Sequence, residues 1–422
     1  MITAKEIPNW CAALDEASDG FTKPVVLKNQ LPTSLMAQLA HDVLQTLSSL
    51  DAASNQHLRL YLEKNLQADG HAVLNKRKPQ GNETVKNWAE RSFPEEFGII
   101  LNSIQNYSDG LASFSHDFFE VFNRQFRYPL GGTDISFFIG DYQSTPLGFH
   151  KDPDGHKVVH LHLGPGTKEM YLISAEVYEN EIQHITRNKN GQFDSFMDHK
   201  QLLPYATKYV IEPGDIFYMP PSIWHVGVNL GLSAAVTLWH LDITSRDLQK
   251  KILLSLKEKL PASLNKPAVL VAQAQQGETF EQLSGFLGLG QMSNGESFLQ
   301  SVENSLKDYA AKLKSNGGYI QQSNIRQKAP KNWTEQDLVK LKHPFRLEVD
   351  QKNGNIMALF LRGHKITCPS HKDMPTIASQ LNERRSFDFG NFCQLLESDW
   401  STNASRQFVS LLDGYDALES RP

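Results

Sequence analysis

The chain has 422 residues, 40% of them hydrophobic and 21% charged, with a formal net charge of −5. That length accommodates two or three domains with sizeable cores, and the composition excludes intrinsic disorder and a global nucleic-acid-binding field. The three widely spaced cysteines, Cys11, Cys368 and Cys393, exclude a disulfide framework and a cysteine zinc site; with no apolar run near the roughly 20 residues of a membrane helix and no basic, then apolar, leader, the expectation is a cytoplasmic protein.

Residues 1–130 read as mainly helical. LPTSLMAQLAHDVLQTLSSL spaces its apolar side chains helically after a proline, and FPEEFGIILNSIQNYSDGLASFSHDFFEVFNRQF repeats the pattern, with a polar loop from Asp69 to Asn87 between them. In FTKPVVLKNQLP the β-branched PVVLK suits an edge strand near 24–28. From 131 to 245 the period changes to short strands, TDISFFIGDY, HKVVHLHL, EMYLISAEVY, KYVIEPGDIFYMP and SAAVTLWHLDI. Turns at GPG, PGD and NLG separate them, the pattern of an antiparallel sandwich or barrel. Residues 246–330 return to helix with SRDLQKKILLSLKEKL and the turns SNGE and SNGG, a linker or dimerisation region. In 331–422, HPFRLEVDQKNGNIMALFLRGHKITCP gives two alternating strands about a Lys-Asn-Gly turn before helices resume. The class is α+β, and the C-terminal pattern resembles a winged helix.

Chemistry concentrates in GFHKDPDGHKVVHLHL, residues 148–163. His150 and Asp152 are two residues apart, which on a strand directs an imidazole and a carboxylate to one face. EPGDIFYMPPSIWHVGVN supplies a third donor, His225, after a Pro-Gly-Asp turn and on a neighbouring strand of a closed barrel. Two imidazoles and one carboxylate on one face of an octahedral ion leave positions for a bidentate cosubstrate and dioxygen, the arrangement used for non-haem Fe(II). Zinc competes for such donors, but the helical His-Glu-x-x-His spacing of many zinc hydrolases is absent.

In a regular strand His156, Val158, His160 and His162 line one face, with Val159, Leu161 and Leu163 on the other. That polar row suits the wall of a reaction chamber and equally suits hydrogen-bonded strand histidines. Asp154, in DPDG, reads as a turn residue. Trp224 and Trp239 read as core or pocket wall, and His184, His199 and His240 as structural or exposed. NKRKP at 75–79 and NERRS at 382–386 read as solvated surface rather than phosphate contacts.

Together, GFHKDPDGHKVVHLHLGPGTKEMYL and PGDIFYMPPSIWHVGVN resemble the JmjC and cupin-like branch of the Fe(II)/2-oxoglutarate-dependent oxygenases, and FTKPVVLKNQLP is similar to a segment near the start of those enzymes. The resemblance runs from Phe21 to Leu241, and the C-terminal part resembles the helical and winged-helix additions of the ribosomal-oxygenase branch. It implies a double-stranded β-helix core in which His150, Asp152 and His225 hold Fe(II), with 2-oxoglutarate as cosubstrate. A basic side chain after the His-x-Asp strand is implied to meet the far carboxylate of 2-oxoglutarate; Lys168 stands in about that place, with Lys157 and the nearby histidines as rivals. A hydroxyl from the last core strand is implied beside it, for which Thr237 is the candidate and Tyr142 the second. His160 and His162 are assigned to the same pocket, where the family more often has apolar or amide side chains.

The implied reaction hydroxylates a C–H bond of a protein, peptide or amino-acid side chain, consuming dioxygen and releasing succinate and carbon dioxide. N-demethylation shares its first step. The competing classes are a non-catalytic metal- or ligand-binding cupin module and a cupin enzyme that uses no 2-oxoglutarate. A second copy of the chain, through the helical region, is the further partner expected; membrane and nucleic acid are not.

Overall fold

The computed structural model describes residues 6–125, 130–142, 148–182, 202–257, 298–322, 332–351 and 354–419. It divides into two compact units. The first holds Met1–Asp242 with Gly317–Ile325 and Lys342–Pro344, the second Ile243–Asn316, Arg326–Leu341 and Phe345–Pro422.

Among the described residues, the first unit is built on a ten-stranded antiparallel sheet. Its strands are β1 (Val25–Leu27), β2 (Leu58–Leu62), β3 (Asn65–Leu66), β4 (Phe97–Asn102), β5 (Thr133–Asp141), β6 (His150–Lys151), β7 (His156–Ile173), β8 (Thr207–Ile211), β9 (Ile216–Met219) and β10 (Trp224–Leu241). The order is β1-β9-β7-β10-β5-β4-β2-β3, with β6 added to β10 and β8 to β7. The strand read at 24–28 is β1, at the end of this order.

Two 18-residue strands, β7 and β10, pair along almost their whole length and each serves two neighbourhoods. The first half of β7 has β9 on its other edge, and its second half has β8. Correspondingly, β10 pairs with β5 through Ser233–His240 and with β6 through Trp224 and His225. The two strands therefore pass from one group of strands to the other, a pairing compatible with a jelly-roll core. GPG, expected to separate two strands, lies inside β7. Gly164 has φ 78°, and Gly231, in the irregular stretch of β10, has φ 84°; a Cβ on Gly166 would stand 2.7 Å from the carbonyl oxygens of Leu230 and Leu232. Glycine there lets the paired strands bend without breaking.

The apolar core lies on the outer face of the sheet. Ile99, Leu101, Ile135, Phe137, Val159, Leu161, Ile216, Tyr218, Val236 and Leu238 are almost wholly buried, and they alternate with the residues of the opposite face. Tyr218 packs on Phe21, which packs on Phe122 of the helix Asp109–Gln125. The helix Thr33–Ser49 buries Leu35, Leu39, Val43 and Leu47, the spacing that marks it in the sequence. Each such side chain contributes about 1.5–3 kcal/mol. With the core on that side, the inner face is left free to carry polar groups.

The N-terminal region is less helical than its sequence suggests. FGIILN, read as helix, is β4, and HLRLYL contributes β2. Five of the six β4 residues are buried, so no alternation marks it. The Tyr142 ring fills the space above Gly98 and Gly140 where side chains would stand, which calls for glycine at both. Conversely, the stretch from Asp69 to Asn87, read as loop, contains the capped helix Gly70–Asn75 and the start of Val85–Ser92. AEVY is a helical turn, Ala175–Val177, rather than strand.

In the second unit the helices Ser245–Lys257 and Phe298–Ser315 pack through Ile252, Leu256, Val302 and Tyr309. After a short strand, β11 (Leu338–Val339), the C-terminal hairpin has three strands, β12 (Glu348–Asp350), β13 (Ile356–Leu361) and β14 (His364–Pro369). The additional turn runs through Arg362 and Gly363, both at positive φ. Helices Met374–Asn382, Phe389–Leu396 and Thr402–Gly414 share a core with β13 through Leu359, Leu381, Phe392 and Val409. His184, His199 and the SNGE turn lie outside the described residues.

Candidate metal centre and cavity

His150 and His225 are register partners on β6 and β10, and their rings stand 4.3 Å apart, centroid to centroid. In each, Nδ1 is within hydrogen-bonding distance of the carbonyl two residues earlier, Gly148 at 2.9 Å and Ile223 at 3.1 Å. Each Nδ1–H donates there, which leaves the Nε2 lone pair as the free donor atom. Asp152 follows β6 directly and brings Oδ2 to 3.8 Å from His225 Nε2. One donor atom from each of the three residues lies within 4.8 Å of the other two.

Electrostatically, this cluster lacks a cation. Asp152 Oδ2 is buried without a hydrogen-bond partner, and burial raises the carboxyl's pKa despite the opposing pull of His150 and His156. Burial, then the His150 ring, lowers His225 to about 3. Two neutral imidazoles and an unsatisfied carboxylate converging on one point suit a divalent ion with mixed nitrogen and oxygen preference. Iron(II) and zinc(II) both meet that description.

The cluster opens into a cavity of about 350 Å³, within the range of small-molecule sites. Lys168 lines it and is only 6% exposed. Its Nζ donates to Asn229 Oδ1 at 3.3 Å, Asn229 Nδ2 in turn donates to the Gly140 carbonyl, and the Tyr142 ring centroid is 6.0 Å away. Among the described residues no carboxylate pairs with this ammonium. Lys168 faces Asn229 on β10, four residues from His225, or about 13 Å along the strand.

Thr237 and His160 also line the cavity, and Thr237 Oγ1 lies 3.3 Å from His160 Nδ1. His160 is held neutral, well below its ordinary pKa, by burial and by Lys168 and His162, and its Nε2 is buried without a partner. His162 shares the face of His160, as strand parity predicts, but it does not reach the cavity. Its Nε2 is 2.8 Å from the Gly166 carbonyl, and burial first, then Lys168, lowers it to about 4. Tyr142 is buried beside Lys168 rather than in the cavity wall. Lys157 is engaged with Asp242. Asp154 accepts hydrogen bonds from Lys151 and Ser222 at the surface. Trp239 is pocket wall and Trp224 stacks on Tyr178.

Arg59 of β2 and Asn102 of β4 line the same cavity and were not among the residues singled out from the sequence. The available signal was the alternation in LRLYL, which puts Arg59 on the face opposite Leu58 and Leu60.

The sequence matches no protein-family model and no curated protein. Among solved structures, the chain is similar to the ribosomal oxygenase YcfD of Escherichia coli, at 13% identity over 97% of each chain, with a TM-score of 0.46. It is similar at 14% identity to YcfD in complex with cobalt and 2-oxoglutarate, over 97% of this chain and 98% of that one, with a TM-score of 0.45. At this level the likeness carries nothing about activity, which rests on the geometry above.

Proposed function

We propose that the protein is an Fe(II)- and 2-oxoglutarate-dependent oxygenase with a JmjC-type double-stranded β-helix core, hydroxylating a C–H bond of a protein, peptide or amino-acid side chain. The observation that carries this reading is the pairing of a His-Asp-His cluster with a buried, unpaired ammonium in one cavity. A metal-binding module without cosubstrate has no use for Lys168. Burying a lysine with a single hydrogen bond is costly unless an anion joins it.

When bound, iron(II) and 2-oxoglutarate supply the oxidising chemistry, with succinate and carbon dioxide as co-products. The protein's own part is positional. The carbonyls of Gly148 and Ile223 fix both imidazoles so that their Nε2 atoms face Asp152, and Asp152 supplies the charge that makes the set selective for a cation. Lys168 would bind the far carboxylate of the cosubstrate, with one uncharged donor beside it, either the Thr237 hydroxyl or the N–H of neutral His160, whichever proton their mutual hydrogen bond leaves free. Val158, Met170, Phe217 and Met219 give the cavity apolar walls that limit water. His162 and Tyr142 act one step back, holding the bend at Gly166 and flanking Lys168. In the second unit the helices and three-stranded sheet would form the winged-helix-like addition. We place a homodimer contact on the helices Ser245–Lys257 and Phe298–Ser315, where Leu253, Leu254 and Leu299 are exposed.

The test is co-product formation. Iron-loaded protein should convert 2-oxoglutarate to succinate only when oxygen is admitted, and Asp152→Ala should abolish the conversion along with iron retention. Succinate absent from iron-loaded protein supplied with oxygen and a peptide or protein extract would overturn the proposal, and turnover without oxygen would point to a cupin isomerase instead.

A further inference from the structure

Besides Lys168, and Lys151, which pairs with Asp154 at the surface, the cavity lining holds a further cation, Arg59. In β2, Leu58 and Leu60 are buried in the outer face, while Arg59 stands opposite Ile100, which faces Phe138, which faces Ala235. That register puts Arg59 on the inner face, and it lines the cavity. Its Nε is shielded from solvent and has no hydrogen-bond partner, and among the described residues no carboxylate pairs with the guanidinium. Of the described residues lining the cavity only Asp152 is acidic, and it belongs to the metal cluster. An arginine that lines a cavity and is denied both water and partner at Nε is short of an anion.

Asn102, on the same inner face, adds a second donor. Its Oδ1 accepts from Ser136 Oγ at 3.0 Å, and Ser136 Oγ in turn accepts from the Trp239 indole N–H at 3.1 Å. With the amide oxygen so occupied, Nδ2 is left to donate toward the cavity that Asn102 lines. Asn102 and Arg59 sit on strands two and three places beyond β10 in the sheet, so β2 is about 14 Å across the sheet from β10. Lys168, by contrast, is on β7, directly beside β10.

Building on the oxygenase reading, we infer that Arg59 and Asn102 form a carboxylate-recognition subsite for the substrate. The chain would act on an acidic substrate, one whose aspartate, glutamate or terminal carboxylate is held at this wall while a neighbouring C–H faces the metal cluster. A single guanidinium fork with one amide donor matches a planar monoanion, whereas a phosphate dianion calls for more than one positive charge.

The inference is tested by fluorescence anisotropy with labelled hexapeptides, acetylated and amidated, that differ only in a central Asp or Asn, plus an Asn peptide with a free C-terminus. They are bound to the iron-loaded protein under anaerobic conditions, with and without 2-oxoglutarate. The Asp peptide should bind at least about 10-fold tighter than its Asn twin. Arg59→Gln should bring the two to near equality, and Arg59→Lys should keep part of the preference. A preference for the free C-terminus instead of the Asp side chain would assign the subsite to a chain end. No carboxylate preference in the wild type, or one that survives Arg59→Gln, overturns the inference. So does weaker 2-oxoglutarate binding in Arg59→Gln, which would make Arg59 a cosubstrate residue. Circular dichroism and the unfolding midpoint establish that the variants are folded. Failure of 2-oxoglutarate to bind the wild type would sink the oxygenase reading alone, because the peptide ratio is also measured without it.

Discussion

Several of the described residues that line the cavity carry a buried polar atom without a protein partner, as do others elsewhere such as Ser92 and Thr133. Asp152 Oδ2, His160 Nε2 and Arg59 Nε all have that property, and all three residues line one cavity. Asp134 shows the opposite case. It is partly buried, but Gln105 donates to it at 2.7 Å and Ser103 at 3.2 Å. Burial still outweighs those bonds and raises its carboxyl from 3.8 to about 6. Between those values the folded state binds a proton that the unfolded state has released, so stability falls as pH rises through this window. Asp134→Asn, which cannot ionise, should gain on the wild type by about 3 kcal/mol between pH 3.5 and pH 7 in denaturant titrations. A difference that does not vary with pH would mean that Asp134 is solvated. At this scale the sequence is legible where spacing has chemical meaning, as in His150 with Asp152. Arg59 was not legible, because a lone charged residue in an apolar strand reads the same whether it faces solvent or a cavity.

The paired strands β7 and β10 decide where the site residues meet. Strand parity correctly grouped His160 with His162, but it could not show that GPG bends a continuous strand, since glycine and proline ordinarily punctuate one. That bend is why Lys168 stays in register with β10 and within reach of the cavity that His225 lines. Gly166→Ala would push a methyl group against the backbone of Leu230 and Leu232, which cannot move independently. It should cost about 1–3 kcal/mol in urea unfolding. Gly231→Ala meets no atom within 4 Å but has φ 84°, so it should cost about 1 kcal/mol or less. Equal costs would contradict the close approach seen at Gly166. The missed strand β4 has a different cause. It is buried on both faces, and a short apolar run of that kind carries no period to distinguish strand from helix.

On the scale of the whole chain, the change of period near 131 and the return of helix after 245 were readable, because alternating and helical patterns differ over long windows. The joining of the N-terminal strands to the same sheet was not, since strand pairing is a long-range property. Leu253 and Leu254 are 59% and 66% exposed, and Leu299 is 79% exposed, an apolar surface that a soluble monomer would rarely leave open. Light scattering at micromolar concentration should therefore report twice the 47.6 kDa chain mass, and Leu253→Glu with Leu254→Glu should halve it. A wild-type monomer would remove the dimer from this account. The unfolding free energy should also rise by about 2.7 kcal/mol with 2-oxoglutarate at 100 times its dissociation constant, provided iron is present.

The central claim, that one cavity joins a metal cluster to an ammonium reserved for 2-oxoglutarate, is tested most directly by anaerobic titration of 2-oxoglutarate into the Fe(II) protein. A weak visible charge-transfer band should grow to saturation in the wild type. It should require about 10- to 100-fold more 2-oxoglutarate in Lys168→Ala, which retains its iron. Iron-loaded wild type that shows no band, or a Lys168→Ala variant that titrates like the wild type, would contradict it.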